Sequence, residues 1–301
     1  MISSCRESFP PSDRYLKALI SMFVNRIEEN GGAIESDDLA EIIFETMRSK
    51  AVAPNPGVSS YLSFYLPIEK KGEPQGIAPI RIRQFPFHND VSLRLWEAGA
   101  CLAEYFLVNK HLSSGKKFIE LGAGVGLTGI VVAGCCGATA VHLTDYTDEC
   151  LLNMEHTIAT NEEWLKKSGH SSSSVTQGYL EWSKFLHQGV PSRNDESSSE
   201  LHQADILLAA DVIYDRSVIE SLVAVTHTFL LVDPDAKEAI FAITKRNLET
   251  FEIFLKHLNE YDIYSEWIAD GEKCTSLPLV FKCKFNQERS DVRIVSLKMK
   301  R

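Results

Sequence analysis

The stretch from Lys116 to Asp145 constrains the fold more than any other part of the chain. A short apolar segment leads into a turn containing Gly122, Gly124 and Gly126, and an apolar segment of helical length and a second short apolar segment follow. Strand, tight turn, helix and strand in this order form the first half of a nucleotide-binding crossover. Glycine has no Cβ, so the turn can approach a ligand closely, and Gly126 stands where a helix would present free amides. Asp145, at the end of the second strand, is placed to bind ribose hydroxyls.

The spacing of the glycines separates two classes of nucleotide. The dinucleotide fingerprint is G-x-G-x-x-G, but Leu127 occupies its third glycine position and glycine stands at Gly126. Glu120 precedes the turn, where a carboxylate would repel a pyrophosphate and attract the cationic amino-acid end of S-adenosylmethionine. The sequence therefore predicts an S-adenosylmethionine site. The alternative is a tight strand-to-helix turn that binds nothing.

The composition of the chain limits which binding partners and which cellular compartment we expect for the protein. A net charge of −10 disfavours DNA or RNA as substrate, because phosphate backbones need a basic surface. The same charge suits a basic protein segment, or serves only solubility. No apolar run approaches a membrane span, and the first fifteen residues lack a secretory core. The seven cysteines form no C-x-x-C pair and the nine histidines are scattered, so neither disulfides nor a metal site is predicted. A reducing compartment, the cytosol or the nucleus, fits best, and we predict a cytoplasmic monomer.

The chain divides into three predicted segments. Residues 1–55 form a helical extension, with two amphipathic helices from residue 12 to about 50. Residues 56–90 form a linker with short strands, in which 60–83 suggests a short hairpin or extended segments. Residues 91–301 form the main α/β domain.

Alternating strand and helix patterns organise that domain. We predict helices at 96–110, 148–161, 217–231 and 247–259, strands at 175–182, 204–211, 238–244, 261–269 and 291–300, and polar serine-rich loops at 166–174 and 189–203. The last two strands have no helix between them in this prediction. Five strand–helix repeats ending in a hairpin predict a Rossmann-like, seven-stranded class I methyltransferase sheet whose last strand is antiparallel. A dinucleotide-binding Rossmann fold lacks that hairpin.

The fourth strand of this pattern carries the candidate acceptor site. Ligands bind at the carboxyl ends of strands in such sheets, and Asp211 and Tyr214 stand at this end. Enzymes that methylate planar amino groups usually place Asn/Asp-Pro-Pro-Tyr there, whereas this chain has no proline between Asp211 and Tyr214. A carboxylate without that rigid clamp suits a lysine ammonium. The alternative for Asp211 is an N-cap of the following helix.

A lysine acceptor must lose a proton before it reacts. With a pKa of about 10.4, about one lysine in 2,500 is neutral at pH 7, and a nearby Asp211 raises that pKa further. A sulfonium at roughly 5 Å and an effective dielectric of about 20 disfavours the ammonium by about 3 kcal/mol. We therefore predict that Asp211 captures and aims the lysine, that its proton leaves to water, and that Tyr214 orients the amine, with positioning as the main source of rate.

Five short motifs together resemble a known family. They are Trp96-Glu97-Ala98, the loop from Glu120 to Gly126, Thr144-Asp145, Leu180-Glu181-Trp182 and the segment from Ala209 to Tyr214. The chain resembles, over about residues 85–260, the seven-β-strand protein-lysine methyltransferases known as methyltransferase family 16. The resemblance implies that the cofactor is lined by Trp96, Gly122, Ala123, Gly124, Asp145, Trp182 and Ala210. From sequence alone, a lone tryptophan such as Trp96 at a helix start is more often a core-packing residue than a ligand contact.

The N-terminal segment narrows the resemblance to a branch. Phe9-Pro10-Pro11-Ser12, the paired helices and the motif at 61–67 are similar to the branch that methylates elongation factor 2. This implies a protein-lysine methyltransferase with elongation factor 2 as partner. Tyr214-Asp215 and Lys245-Arg246-Asn247 also agree with a branch that modifies a nucleic-acid-binding protein. The alternatives are another protein lysine, such as one on a chaperone, a non-catalytic cofactor-binding assembly partner and, least favoured, a small-molecule methyltransferase.

Overall fold

The computed structural model describes residues 8–48, 55, 57–70, 73–167, 174–186, 196–282 and 289–300. Cys5, Cys283 and most of the two predicted polar loops lie outside these residues. The described part begins with helices α1 (Asp13–Glu29) and α2 (Asp37–Arg48), as predicted. The Ser12 hydroxyl caps α1 by accepting from the Tyr15 amide at 3.3 Å, and Ser36 caps α2 in the same way.

A hairpin follows the two helices and joins the main core. Strands β1 (Ser60–Lys70) and β2 (Glu73–Gln84) pair antiparallel, which confirms the predicted hairpin. Phe64 and Ile82 are among its buried side chains, and they belong to the same apolar cluster as the helix that follows Trp96. Residues 60–66 and 79–84 of the hairpin are therefore packed against the main domain, while the predicted domain boundaries themselves stay a prediction.

One buried amide fastens this hairpin to the domain. The Asn161 side chain is 1% exposed. Its Nδ2 donates to the Arg81 carbonyl at 2.7 Å, and its Oδ1 accepts from the Arg81 amide at 2.8 Å. The amide and the carbonyl of Arg81 in β2 thus both form a hydrogen bond with the Asn161 side chain.

Replacing Asn161 with alanine should therefore destabilise the fold by about 2 kcal/mol, because two backbone groups of Arg81 lose their partner. We expect the melting temperature to fall by about 4–8 °C in calorimetry. Asn109→Ala is the matched control, because among the described residues Asn109 Nδ2 donates only to the nearby Tyr105 carbonyl. Equal losses in the two variants would contradict this role of Asn161.

The central sheet has seven strands. Their bounds are β3 (Lys117–Leu121), β4 (Ala140–Asp145), β5 (Val175–Tyr179), β6 (Ile206–Ala210), β7 (Glu238–Thr244), β8 (Ile263–Ala269) and β9 (Val292–Met299). The spatial order is β5-β4-β3-β6-β7-β9-β8, and β9 runs antiparallel to both of its neighbours. The predicted class I sheet with an antiparallel last strand is confirmed.

Helices cover both faces of this sheet. They are α3 (Glu97–Val108), α4 (Leu127–Cys136), α5 (Asp148–Thr160), α6 (Glu162–Lys167), α7 (Glu196–Gln203), α8 (Ile219–Leu231), α9 (Leu248–Glu260) and α10 (Gly271–Ser276). One buried cluster joins the hairpin, α3 and α4 to one face, and another joins α8 and α9 to the opposite face. The parallel strands are thus buried on both sides, which explains their nearly continuous apolar sequences. Among the described residues, no helix is long and apolar enough to cross a membrane.

Three predicted loop assignments are wrong. Helix α7 occupies the second half of the predicted loop at 189–203, because Leu201 is buried and the Lys237 ammonium donates to the Leu201 carbonyl at 2.9 Å near the helix end. Helix α6 includes the first two residues of the predicted loop at 166–174. Helix α10 lies between the last two strands, where Asp270 caps it by accepting from the Lys273 amide at 3.0 Å.

Candidate active site

The glycine turn between β3 and α4 adopts a conformation that side chains resist. Gly122, Gly124 and Gly126 have φ of +59°, +54° and +78°, all in the left-handed region. The Ala123 amide donates to the Thr144 carbonyl at 2.9 Å, which ties the turn to the end of β4. Gly126 is the N-cap of α4, so the first amides of that helix face the same edge of the sheet.

Asp145 is hydrogen-bonded through its carboxylate to the backbone of the glycine turn. Its carboxylate accepts from the Gly124 amide at 3.0 Å and from the Tyr146 amide at 2.8 Å, and it is 4% exposed. Burial raises the pKa of this carboxyl, and the hydrogen bonds from backbone amides work against that rise. A carboxylate has about four acceptor positions, so acceptor capacity for ligand hydroxyls remains. The turn and Asp145 thus fit a nucleoside.

Glu120 lies deeper than the rest of the turn. Its Oε2 accepts from the Gly129 amide in the first turn of α4 at 2.9 Å, and the side chain is 2% exposed. Burial raises the pKa of Glu120 to about 7, and contacts with Thr128 and Gly129 limit the rise. The structure therefore gives Glu120 a role in holding the helix start, while its predicted contact with a cationic ligand stays a prediction.

Residues 90–93, shortly before α3, lie over the glycine turn, and we call this segment the roof. A Cβ built on Gly124 would lie 2.6 Å from the carbonyl oxygen of Ser92, so only glycine fits beneath it. Asp90 holds this roof in shape, because its carboxylate accepts from the Ser92 amide at 2.9 Å. The Trp96 indole donates to the Val91 carbonyl at 2.7 Å, which fixes the ring beside the roof.

The far side of the turn meets the ends of β5 and β6. A Cβ on Gly122 would lie 2.9 Å from Val212 and 3.4 Å from the ring of Trp182. Ala210 ends β6 and faces Gly99 of α3, since a Cβ on Gly99 would lie 3.8 Å from the Ala210 Cβ. The predicted cofactor residues therefore converge on one edge of the sheet, although they are separated by up to 114 positions between Trp96 and Ala210.

Asp211 is held in an uncommon backbone conformation. Its φ is +59°, which is costly for a residue with a Cβ, and its amide donates to the Ala242 carbonyl at 2.9 Å. The side chain is 8% exposed and accepts from Arg246 Nη2 at 2.6 Å. Burial raises the pKa of Asp211, and the Arg246 guanidinium opposes that rise. The N-cap alternative is wrong, because Asp215 caps the turn before α8 through the Ser217 amide at 2.9 Å.

Tyr214 lies at the mouth of the same site. Its side chain is 54% exposed, and burial together with nearby Tyr146, Asp145 and Asp90 raises the pKa of its phenol to about 12. The phenol therefore keeps its proton at neutral pH. It can donate or accept a hydrogen bond but cannot act as a general base there.

Two contacts of the site were not predicted from the sequence, although the sequence places Arg246 at the carboxyl edge of the sheet. The roof carbonyl of Ser92 is a backbone group and leaves no signal in residue type. Arg246 bonds Asp211 and also lies over the Trp96 ring, with 5.0 Å from the guanidinium carbon to the ring centroid. The signal for Arg246 was its position just after β7, at the carboxyl edge of the sheet.

Comparison with known proteins agrees with this geometry. The chain is 29% identical over 248 residues to Protein-lysine N-methyltransferase EFM3 of Chaetomium thermophilum, which covers 80% of this chain and 70% of that protein. It is 25% identical to Protein-lysine N-methyltransferase EEF2KMT of Bos taurus, over 84% of this chain and 73% of the relative. EEF2KMT of Homo sapiens is 26% identical, over 84% of this chain and 72% of that protein.

Solved structures include the protein SMU.776, a putative methyltransferase complexed with SAH, at 12% identity and a TM-score of 0.49, covering 87% of this chain and 66% of that one. So distant a likeness carries no functional argument. The family described as lysine methyltransferase matches residues 78–261, which is more than half of the chain and includes the glycine turn, Asp145 and Asp211. The chain therefore belongs to the lysine methyltransferase family and is an S-adenosylmethionine-dependent protein-lysine methyltransferase.

Proposed function

We propose that this enzyme methylates a lysine of elongation factor 2. The observation that carries the proposal is the extent of the similarity to the EEF2KMT proteins, which covers 84% of this chain. That share is larger than the segment 78–261 together with the 40 residues that follow it, so the match also includes residues before position 78, where the motifs that resemble this branch lie. The net charge of −10 suits a basic segment of a protein partner. A cytoplasmic monomer is part of the same proposal.

We assign the cofactor side of the site to the residues around the glycine turn. Asp145 would bind the ribose hydroxyls, and Gly122, Ala123 and Gly124 would line the nucleoside beneath the roof. Trp96, Trp182 and Ala210 would complete the walls, with Gly126 at the start of α4 and Glu120 at the end of β3. S-adenosylmethionine, when bound, supplies an electrophilic methyl group next to a sulfonium charge.

The acceptor side consists of Asp211 and Tyr214. The nearly buried Asp211 carboxylate attracts an ammonium strongly, because water screens it little. Its left-handed backbone fixes the direction in which the carboxylate points. The protonated Tyr214 phenol would accept from, or donate to, the lysine nitrogen and orient it. The proton of the ammonium leaves to water at the exposed mouth of the site.

Replacing Tyr214 with phenylalanine should lower kcat for lysine methylation by about tenfold, since it removes one orienting hydrogen bond worth about 1–1.5 kcal/mol. The pH dependence of kcat between pH 6 and 9 should keep its shape, because a phenol with a pKa of about 12 does not titrate there. Tyr179→Phe, at another exposed tyrosine of the same edge, serves as the control. A change in the shape of the profile for Tyr214→Phe alone would mean that the phenol exchanges a proton during turnover.

The test of the proposed substrate is direct labelling. The protein is incubated with S-adenosylmethionine carrying a labelled methyl group and with purified elongation factor 2, and modified lysines are mapped by mass spectrometry. We expect one modified lysine on the factor. A parallel incubation uses cell lysate in place of the purified factor. Label on another protein of that lysate, such as a chaperone, with no label on elongation factor 2 would replace the factor as substrate. Cofactor binding without any labelled product would favour a non-catalytic assembly partner.

A further inference from the structure

Arg246 already places a cation on the carboxylate that the substrate lysine is expected to use. Its Nη2 lies 2.6 Å from Asp211 Oδ2, and its guanidinium carbon lies 5.0 Å from the centroid of the Trp96 ring. One side chain thus touches the acceptor side of the site and a wall of the cofactor side. One contact is a hydrogen bond from an N–H group, and the other places the cationic guanidinium carbon over the aromatic ring.

The exposed fractions of Asp211 and Arg246 show which of the two side chains lies nearer to solvent. The side chain of Asp211 is 8% exposed, and that of Arg246 is 39% exposed. Arg246 therefore lies on the solvent side of the pair. A lysine arriving from solvent meets the guanidinium before it reaches the carboxylate, and Asp211 cannot easily turn elsewhere because its amide and its left-handed backbone are fixed.

We propose, resting on the proposed lysine-methylating function, that Arg246 is a positioning residue that guards the acceptor site. It keeps Asp211 ionised and aimed until the substrate ammonium takes its place. The guanidinium then gives up Asp211 and retains its contact with the face of Trp96. The exchange of one cation for another keeps the nearly buried carboxylate paired throughout, which avoids the cost of an isolated buried charge.

Other charges near this pair are already engaged. Glu97 at the start of α3 accepts from Arg289 Nε at 2.6 Å, so its charge is balanced. Lys245 lies with its ammonium 6.0 Å from the centroid of the Phe251 ring. The hydroxyl of the neighbouring Thr244 lies close enough to lower the pKa of Asp211 but, within the described residues, makes no hydrogen bond of ordinary geometry. Arg246 is the group whose removal should change Asp211 most.

The test compares Arg246→Ala and Arg246→Lys with the control Arg216→Ala. Arg216 also has a carboxylate partner, Glu249, at 2.6 Å, but that pair is exposed on both sides, and the control changes net charge equally. The pKa of Asp211 is measured by carbon NMR of its carboxyl, assigned with Asp211→Asn. Steady-state kinetics with elongation factor 2 are measured from pH 5 to 9.

In Arg246→Ala the pKa of Asp211 should rise by at least about one unit, because a guanidinium in contact lowers a carboxyl pKa by that much or more. The acidic limb of kcat/KM should move up in pH by the same amount, since the carboxylate protonates earlier on acidification. In Arg246→Lys the pKa of Asp211 and the acidic limb of kcat/KM should stay close to their wild-type values. In Arg216→Ala both should be unchanged. At pH 9, where Asp211 is ionised in every variant, Arg246→Ala should lower KM several-fold, because no internal cation competes.

An unchanged pKa of Asp211 in Arg246→Ala would overturn the inference, as would an equal shift in Arg216→Ala. A KM at pH 9 that stays the same or rises in Arg246→Ala would show that the guanidinium is not displaced, and would overturn it as well. The NMR result is obtained even if elongation factor 2 is never labelled. A shifted pKa with no methylation by the wild-type protein would therefore overturn the proposed substrate and leave the pairing of Arg246 with Asp211 intact.

Discussion

Asp211→Asn should lower the rate of lysine methylation by about 10²–10³-fold and leave the affinity for S-adenosylmethionine within about threefold of the wild-type value. Loss of one preorganised charged group in an active site typically has an effect of this size on the rate. Asparagine keeps the volume of the side chain and one acceptor oxygen but cannot neutralise an ammonium. The fold should survive, because Arg246 is 39% exposed and water can solvate the freed guanidinium.

The measurements are single-turnover methylation of elongation factor 2 and calorimetric titration with S-adenosylmethionine. Asp215→Asn is the matched control, since Asp215 lies four positions further along and is exposed. It should methylate within about threefold of the wild-type rate, because its carboxylate only caps the turn through Ser217. Full activity of Asp211→Asn with normal cofactor binding would remove Asp211 from the reaction.

Gly124→Ala should weaken the binding of S-adenosylmethionine by at least about 100-fold, which corresponds to about 2.7 kcal/mol. Two physical costs combine at this position. A residue with a Cβ resists the φ of +54° by about 1–2 kcal/mol. In addition, the new methyl group would lie 2.6 Å from the Ser92 carbonyl oxygen, a backbone atom that cannot move without opening the roof.

A second glycine separates these two costs. Gly115 has a φ of +76°, but a Cβ built on it meets no atom within 4 Å. Gly115→Ala therefore carries the backbone cost without the clash, and it should bind S-adenosylmethionine normally while losing some thermal stability. If both variants bind the cofactor alike in calorimetric titration, then the roof over the glycine turn does not shape the cofactor site.

The elements that the sequence predicted well are those with a strong local signal. The buried strands β3, β6 and β7 have continuous apolar segments, and the glycine turn has a spacing that local backbone geometry explains. The weak assignments were short helices in polar surroundings. Helix α7 depends on Leu201 and on the Lys237 ammonium, which lies 36 positions away from Leu201, so no local pattern reveals it.

The candidate site shows the same division. Asp145 and Asp211 were found because each ends a strand in a parallel sheet, and the carboxyl ends of such strands meet at one edge. The contacts of these carboxylates were not predictable in the same way. The Gly124 amide reaches Asp145 from 21 positions away, and Arg246 reaches Asp211 from 35 positions away. Such pairs form only when neighbouring strands are in register.

The sequence by itself determined the class of sheet, the methyl donor and which residues stand at the carboxyl edge of the sheet, because strand patterns and glycine spacing are local properties of the chain. The tertiary structure decided which groups those residues touch. It placed the Ser92 carbonyl above Gly124, buried Glu120 against the start of α4 and set Arg246 between Asp211 and Trp96. Burial and charge pairing depend on what the fold brings together, so the pairing of the Asp211 carboxylate with Arg246 is a property of the folded protein.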